Sequence, residues 1–172
     1  KIRVPGLLTT VQDGGRTGWA RYGIPPSGPM DSVAFAAANR LVGNPPDAAA
    51  LEITLIGPRL RLSADGLIAV CGADFELWVR GLRVPTWHSI FVRAGSLIDF
   101  GSRISGACAY LAVAGGVVTP PFLGSQATYL SGGFGGLDGR ALRAGDRLPT
   151  GASEVSDFVE AGSVLEPWHG YW

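Results

Sequence analysis

The sequence predicts a mostly β fold with one main helix. Glycine makes up 26 of the 172 residues, about twice the usual share of roughly 7%. Short apolar runs alternate with Gly- and Pro-rich turns about every 8 to 12 residues, which is typical of a β-sandwich or a closed barrel. Only one segment repeats apolar residues at the helical spacing of three and four.

Charge and composition exclude several partner classes. Lys plus Arg and Asp plus Glu number 14 each, and no basic run occurs. Nucleic acid or an anionic membrane is therefore not expected as the main partner. The sequence has no signal peptide and no apolar run of membrane-spanning length, so a cytoplasmic location is expected.

The first elements are a strand, a long loop and the helix. Residues 7–13 form the predicted first strand, which ends at an Asp-Gly-Gly turn signal. A long loop over residues 14–28 follows, and long structured loops in compact domains are usually functional. The helix is predicted over about residues 29–42, with Gly28 as its N-cap and Asp31 as its third residue. Its expected apolar face comprises Met30, Val33, Ala34, Ala37 and Leu41.

Short strands are predicted after the helix, separated by glycine-containing turns. Their ranges are 50–55, 59–63, 67–71, 75–79, 90–92, 97–100 and 107–114. Long loops fill residues 115–149. We expect residues 1–149 to form one domain, a β-sandwich or a closed barrel, and residues 150–172 to be a polar tail. The aromatic end of that tail is expected to dock on something outside the domain.

Two cysteines and two histidines carry little chemistry. Cys71 and Cys108 lie in apolar strands and are interpreted as buried, reduced thiols, although a disulfide between them is left open. No residue spacing indicates a metal site, and His88 and His169 lie in a turn and in the tail. A histidine-based general acid or base is therefore not expected.

The remaining candidates are polar residues beside glycines. Each also has a purely structural interpretation, in which Asp13 shapes its turn, Asp31 caps the helix and Glu52 pairs with an arginine. Glu52 is the hardest to interpret as structural, because it lies between Leu51 and Ile53 in an apolar strand. The candidate catalytic residues are Asp13, Arg16, Asp31 and Glu52, and the candidate substrate- or nucleotide-binding residues are Gln12, Ser27, Asn39, Asp74, Gly133, Gly135 and Arg140.

A series of ordered motifs resembles the KipA/PxpC family, whose members are also called allophanate hydrolase subunit 2 or biotin-dependent carboxyltransferase-like proteins. The resemblance extends over roughly residues 5–148, and so many ordered motifs make it specific. The motifs are TVQDGGR (10–16), GIPPSGPMD (23–31), ANRLVGN (38–44), LE (51–52) before GP (57–58), GAD (72–74), YLAVAGG (110–116), LGSQAT (123–128) and GRALRAGD (139–146).

The resemblance implies a cyclophilin-like closed β-barrel and a role as the C subunit of an ATP-dependent 5-oxoprolinase. Such a complex opens the 5-oxoproline lactam to glutamate, with further subunits of the KipI/PxpB-like and LamB/YcsF-like types. It implies ATP, with Mg²⁺, as the cofactor of the assembled complex. It also implies that residues 1–149 are the barrel domain of an N-terminal half and that residues 150–172 are a tail or linker towards a C-terminal half beyond this chain. The isolated chain is then expected to be inactive.

Two further functions are compatible with the resemblance. One is a carboxyltransferase domain of the urea carboxylase type, which would use biotin carried by another polypeptide. The other is a regulatory protein that binds and antagonises a KipI-like kinase inhibitor. In the 5-oxoprolinase hypothesis, Arg16 and Arg140 supply positive charge, the glycine-rich backbone at 132–136 supplies N–H groups, and Asp13, Asp31 or Glu52 orients water or substrate.

Overall fold

A computed structural model describes residues 1–153 of the chain. The predicted aromatic tail lies outside the described residues, and the boundary near residue 149 stays a prediction. The elements are β1 (Ile2–Val4), β2 (Leu8–Gln12), a 3-10 turn (Ala20–Tyr22), α1 (Ser32–Leu41), β3 (Ala50–Thr54), β4 (Arg59–Arg61), β5 (Gly66–Val79), β6 (Leu82–Val84), β7 (Ile90–Val92) and β8 (Leu97–Val113). Within this part of the chain no helix is long and apolar enough to cross a membrane.

The eight strands form one antiparallel sheet that curls on itself. Its main path runs β1-β4-β8-β3-β2, and β5 pairs with β8, β6 and β7. The two end strands of that path do not pair with each other in the described part of the chain. Instead, Leu142 N donates to Thr9 O on β2 (2.8 Å) and Gly145 N donates to Ile2 O on β1 (3.0 Å). The mostly β prediction is confirmed, whereas a closed cyclophilin-like barrel stays a prediction.

The sheet has two buried faces, and this decides where polar side chains can go. The inner face carries the larger core, with Val11, Ile53, Val70, Leu77 and Leu111. The other face packs against α1 in a smaller cluster that contains Phe35, Ala50 and Tyr110. Side chains alternate along a strand, so Glu52 on β3 shares the α1 face with Ala50, while Leu51 and Ile53 enter the larger core.

Glycines predicted as turns are bulges inside two long strands. Residues 67–71 and 75–79 belong to the single strand β5, and residues 97–100 and 107–114 belong mostly to the single strand β8. The pairing register shifts between Gly72 and Asp74, where Gly72 has φ 102°. A Cβ on Gly72 would collide with the Cys108 carbonyl, so glycine permits the close strand approach rather than a chain reversal.

The helix begins later than predicted, and its predicted apolar face is confirmed only in part. Asp31 is the N-cap, because its Oδ1 accepts hydrogen bonds from Val33 N and Ala34 N (both 3.0 Å). The predicted Gly28 cap is therefore wrong. Of the predicted apolar face, Met30 and Val33 are 81% and 75% exposed, whereas Ala34 is buried and Ala37 and Leu41 pack partly buried against the smaller cluster. The fully buried helical residues also include Phe35, Ala38 and Asn39.

Candidate functional site

Glu52 and Tyr110 form the centre of the first cluster of candidate residues. They are in register on β3 and β8, on the face that packs against α1. The Tyr110 hydroxyl donates to Glu52 Oε2 (2.8 Å), and Met30 N donates to the same oxygen (2.8 Å). Asp31 N donates to the Tyr110 hydroxyl (2.7 Å). Two donors thus fix one carboxylate oxygen of Glu52, and the backbone just before α1 is tied to the sheet.

The tyrosine of this cluster stays neutral. Tyr110 is fully buried, and its ring meets Phe35 edge-on at a centroid distance of 5.6 Å. Burial raises the Tyr110 pKa, and the charge of Glu52 raises it further, while the bond from Asp31 N opposes both. The phenol therefore keeps its proton and remains a hydrogen-bond donor to the carboxylate.

Arg16 is the centre of the second cluster. Its side chain is buried, at 2% exposure, and its Nη1 donates to Ser27 Oγ (2.9 Å). Its other nitrogens donate to the carbonyls of Phe122 (3.4 Å) and Ala127, and the guanidinium lies over the Phe134 ring at 5.1 Å. Burial lowers the pKa of Arg16, although the charge of Asp13 partly offsets this. The arginine therefore fastens the 14–28 loop to the 122–134 segment.

Asp13 makes the same connection from the other side. Its carboxylate accepts from Gly15 N (2.9 Å), which is the turn-shaping role that the sequence left open. It also accepts from Ser125 Oγ (2.6 Å) and Gln126 N (2.5 Å), more than a hundred positions along the chain. Asp13 therefore holds two loops together as well as shaping its own turn.

Gln12 links the two clusters. Its Nε2 donates to Thr10 Oγ1 (3.1 Å) and to Thr128 O (3.3 Å). Thr10 pairs directly with Glu52 in the β2–β3 ladder, so Gln12, Thr10 and Glu52 lie on the same face of the sheet. Gln12 is only 6% exposed, and its Oε1 has no hydrogen-bond partner among the described residues.

Six of the predicted residues therefore lie in two adjoining clusters, and Gly135 lies next to them. A Cβ on Gly135 would come within 2.8 Å of the Arg16 Nη2, which shows how closely this backbone covers the guanidinium. The six clustered residues are Gln12, Asp13, Arg16, Ser27, Asp31 and Glu52.

Three other predicted residues lie outside the two clusters, and two of them bind other partners. Asn39 is fully buried and donates to Ala48 O (2.8 Å). Arg140 forms an ion pair with Asp146 (2.8 Å), which raises its pKa. Asp74 lies at the β5 bulge, where none of the contacts of the described residues joins it to the two clusters.

The glycine-rich backbone uses several of its N–H groups internally. Gly133 N donates to Tyr129 O (2.9 Å), and Gly136 N donates to Gln126 O (2.8 Å). Gly133 thus closes a turn, and its predicted contact with a ligand stays a prediction. Within residues 1–153, no group of three or more His, Cys, Asp or Glu side chains could hold a metal ion.

Tyr110 is the functional candidate that sequence reasoning missed. It lies in the apolar run of residues 107–114, where a buried hydroxyl requires a partner. The carboxylate of Glu52, in the predicted apolar strand of residues 50–55, likewise requires a partner. Two polar groups that each need a partner in apolar strands are a signal for cross-strand pairing, although only the register shows which two residues meet.

The two cysteines are free thiols in the structure. Burial raises the pKa of Cys71 to about 12. Burial also raises the pKa of Cys108, and the charges of Glu52 and Asp31 add to that effect, while a contact with Thr54 opposes it. Both sulfurs therefore favour the protonated form, which is a poor nucleophile.

Comparisons with known proteins agree with the sequence motifs. The C subunit of the Escherichia coli 5-oxoprolinase is 44% identical over 166 residues, covering 96% of this chain and 53% of that protein. The urea amidolyase of Saccharomyces cerevisiae is 40% identical over 161 residues, covering 93% of this chain and 9% of that protein. A crystal structure of the Kluyveromyces lactis urea carboxylase matches with a TM-score of 0.85 at 43% identity, covering 87% of this chain and 13% of that one.

The chain therefore spans about half the length of one curated relative and a small part of the others. A family model described as "Carboxyltransferase domain, subdomain A and B" matches residues 22–168. The match covers most of the chain and confirms the resemblance that the motifs indicated. The chain belongs to the carboxyltransferase domain, subdomain A and B, family.

Proposed function

We propose that this chain acts as part of the C subunit in an ATP-dependent 5-oxoprolinase complex. The observation that carries the proposal is the Glu52 carboxylate, which is held on one oxygen by Tyr110 and by Met30 N. A carboxylate in that position can orient water or a substrate group with its second oxygen. The 44% identity to the C subunit of a 5-oxoprolinase supports this choice of substrate.

The chemistry requires help from ATP, because a lactam is stabilised by amide resonance. Phosphorylation of the lactam oxygen by ATP would activate the ring carbon, and water would then add to that carbon to give a tetrahedral phosphate adduct. The ring C–N bond would break as the nitrogen takes up a proton, and the resulting acyl phosphate would be hydrolysed by a second water to glutamate and phosphate. In this proposal Glu52 takes a proton from the first water. Arg16 and Asp13 act as positioning residues, since their contacts hold the loops that flank Glu52.

The ATP and Mg²⁺ belong to the assembled complex in this proposal. The chain spans 53% of the E. coli C subunit, so the remaining half of such a protein would complete the site. Subunits of the KipI/PxpB-like and LamB/YcsF-like types are the proposed further partners. The isolated chain is accordingly expected to lack activity.

Reconstitution tests the proposal. The chain, supplied with the C-terminal half and with the KipI/PxpB-like and LamB/YcsF-like subunits, is incubated with 5-oxoproline and ATP, and glutamate release is followed. We expect glutamate only when all components and ATP are present. Release that is equally fast without this chain would contradict the proposal.

A carboxyltransferase role of the urea carboxylase type is the second candidate. It is favoured by the description of the family model and by the match to the K. lactis urea carboxylase. This role requires a biotin-bearing carrier. Carboxylation of urea by the chain with a carboxybiotin carrier, in the absence of any 5-oxoproline turnover, would favour it over the first proposal.

A further inference from the structure

The helix covers only part of the outer face of the sheet. It packs against the half of β5 and β8 that contains Ala69 and Ala112, on one side of the bulge at Gly72. On the other side of the bulge, β1, β4, β8, β5 and β6 lie next to one another in that order. Leu60 and Leu77 on these strands enter the larger core, so the residues beside them point outward, away from the core and from α1.

The outward side chains form a row with a tryptophan between arginines. Arg59 on β4 pairs in register with Asp99 on β8, and its Nε lies 2.8 Å from Asp99 Oδ2. Asp99 pairs with Trp78 on β5, and Trp78 pairs with Arg83 on β6. Neighbouring strands lie about 4.8 Å apart, so the row is about 14 Å long. We refer to this row, together with Arg3, Arg61 and Glu76 on the same strands, as the Trp78 face.

An open groove lies beside the Trp78 indole. It has a volume of about 340 Å³ and is lined by Arg59, Trp78, Gly81, Leu97, Asp99 and Gly101. A Cβ on Gly101 would come within 3.1 Å of the Trp78 Nε1, so glycine at this position keeps the edge of the indole accessible. An apolar side chain from another molecule therefore has a place to pack against Trp78 and Leu97.

The Trp78 face concentrates positive charge in a chain that has no net charge. Lys plus Arg and Asp plus Glu number 14 each in the whole sequence, whereas this face combines four arginines with two carboxylates. Arg83 lies 4.0 Å from Glu76. Arg3 and Arg61 are exposed and have no ion-pair partner in the described part of the chain. Their guanidiniums are therefore available to the carboxylates of another molecule.

The charge and the shape of the face disfavour three other occupants. A second copy of this chain, docked by the same face across a two-fold axis, would place arginines against arginines. Nucleic acid prefers surfaces with a large excess of positive charge, whereas half of the arginines here already have a carboxylate partner. Small molecules usually bind in concave sites that bury most of their surface, and this groove is open.

We propose that the Trp78 face binds an acidic segment of a partner protein, with an apolar side chain of that segment in the groove. Tryptophan and arginine are the residues that contribute most to binding at protein interfaces. Alternate residues of an extended segment lie on one face, and each residue adds about 3.3 Å, so residues four positions apart are about 13 Å apart. That distance matches the row, which predicts carboxylates at positions i and i+4 and an apolar residue at i+2.

Labelled peptides test the proposal with the full chain by fluorescence anisotropy at low salt. The probe is the capped peptide Ser-Glu-Thr-Phe-Thr-Glu-Ser. One comparison peptide has lysines in place of both glutamates, and another has serine in place of the phenylalanine. We expect the probe to bind about 10-fold more tightly than either comparison peptide, and its affinity should fall as added salt screens the charges.

Variants of the face locate the binding. Arg61→Gln combined with Arg83→Gln removes two exposed charges and should weaken binding of the probe by about 3- to 10-fold. Trp78→Thr should weaken it by about 10-fold or more, and the arginine variant keeps the test valid if Trp78→Thr does not fold. Arg21→Gln combined with Arg40→Gln is the matched control, because both residues are exposed outside this face and the net charge changes equally. It is expected to keep the wild-type affinity.

Two results would overturn the proposal as a whole. One is equal binding of the probe and its lysine counterpart. The other is an unchanged affinity in the variant that lacks the arginines at positions 61 and 83. None of these measurements uses 5-oxoproline or ATP, so either result would leave the proposed function intact.

Three further results would assign the face to another occupant and so overturn the assignment to a partner protein. Tighter binding of oligothymidylate than of the probe would indicate nucleic acid. A wild-type dimer that dissociates in Trp78→Thr would indicate a second copy. Residues 154–172 carry four carboxylates and no Lys or Arg. Tighter binding of the probe by a full chain with those carboxylates replaced by amides would indicate that this segment competes for the face.

Discussion

Removal of the Tyr110 hydroxyl should weaken the connection between the candidate site and the start of α1. In Tyr110→Phe, the hydrogen bond to the Glu52 carboxylate and the bond from Asp31 N are both lost. A hydrogen bond to a charged group contributes about 1.5–3 kcal/mol and a neutral one about 0.5–1.5 kcal/mol, so the free energy of unfolding should fall by about 2–4 kcal/mol. The phenyl ring and its contact with Phe35 remain, so no large cavity contributes to the loss.

The measurement is equilibrium unfolding in guanidinium chloride, which is preferred because urea is itself a candidate ligand. The denaturation midpoint should fall while the slope m stays unchanged. Tyr22→Phe is the matched control, because Tyr22 is 61% exposed, and its loss of a hydroxyl should cost less than about 0.5 kcal/mol. Equal losses in the two variants would refute the account of the Glu52–Tyr110 pair.

Three further predictions concern buried charge, acid stability and thiol reactivity. Arg16→Met should lower the free energy of unfolding by about 2–4 kcal/mol, since the buried Ala127 carbonyl and the part-buried Phe122 carbonyl lose their donor, whereas Arg21→Met in the same loop should cost less than about 0.5 kcal/mol. Similar losses in both would contradict this. The hydrogen bond from Arg140 lowers the pKa of Asp146, so stability should decrease as the pH falls below the ordinary carboxyl value of about 3.9. Asp146→Asn should weaken that decrease, and an unaltered acid profile would argue against it. Iodoacetamide at pH 8 should label Cys71 far more slowly in the folded protein than in the unfolded one, because burial raises its pKa to about 12. Equal rates measured by mass spectrometry would disprove that burial.

Local patterns predicted the elements that depend on local chemistry. The strand of residues 90–92 has the predicted bounds, and β3 differs from its predicted range by one residue. The helix end was also predicted, since Gly43 follows it with φ 77°. The short strands β1 and β6 were not predicted.

The helix start shows that hydrogen bonds from distant segments can override a local start signal. Gly28 and Pro29 are a good local start signal, yet Asp31 is the N-cap. Glu52 and Tyr110 bind the amides of Met30 and Asp31, and this holds the chain extended up to Asp31. Those partners lie 22 and 79 positions away in sequence, so no local pattern could reveal them.

The sequence predicted several residues of the candidate site but not the contacts between them. Glycine-flanked polar residues identified Gln12, Asp13, Arg16 and Glu52 as candidates. Their roles depend on contacts between distant segments, such as the bond from Gln12 to Thr128, 116 positions away. The sequence alone therefore did not distinguish the role of Arg16, which is buried and holds two loops together, from that of Glu52, which provides the carboxylate of the candidate site.

The most direct test of the central claim is the rate of ATP-dependent glutamate release by the reconstituted complex carrying Glu52→Gln. The glutamine oxygen can still accept from Tyr110 and Met30 N, so the fold should persist while the carboxylate is lost. We predict a fall in kcat/KM of about 100-fold or more, with Glu76→Gln on β5 as a control that keeps the wild-type rate. A wild-type rate in a folded Glu52→Gln complex would contradict the claim that this carboxylate serves the reaction.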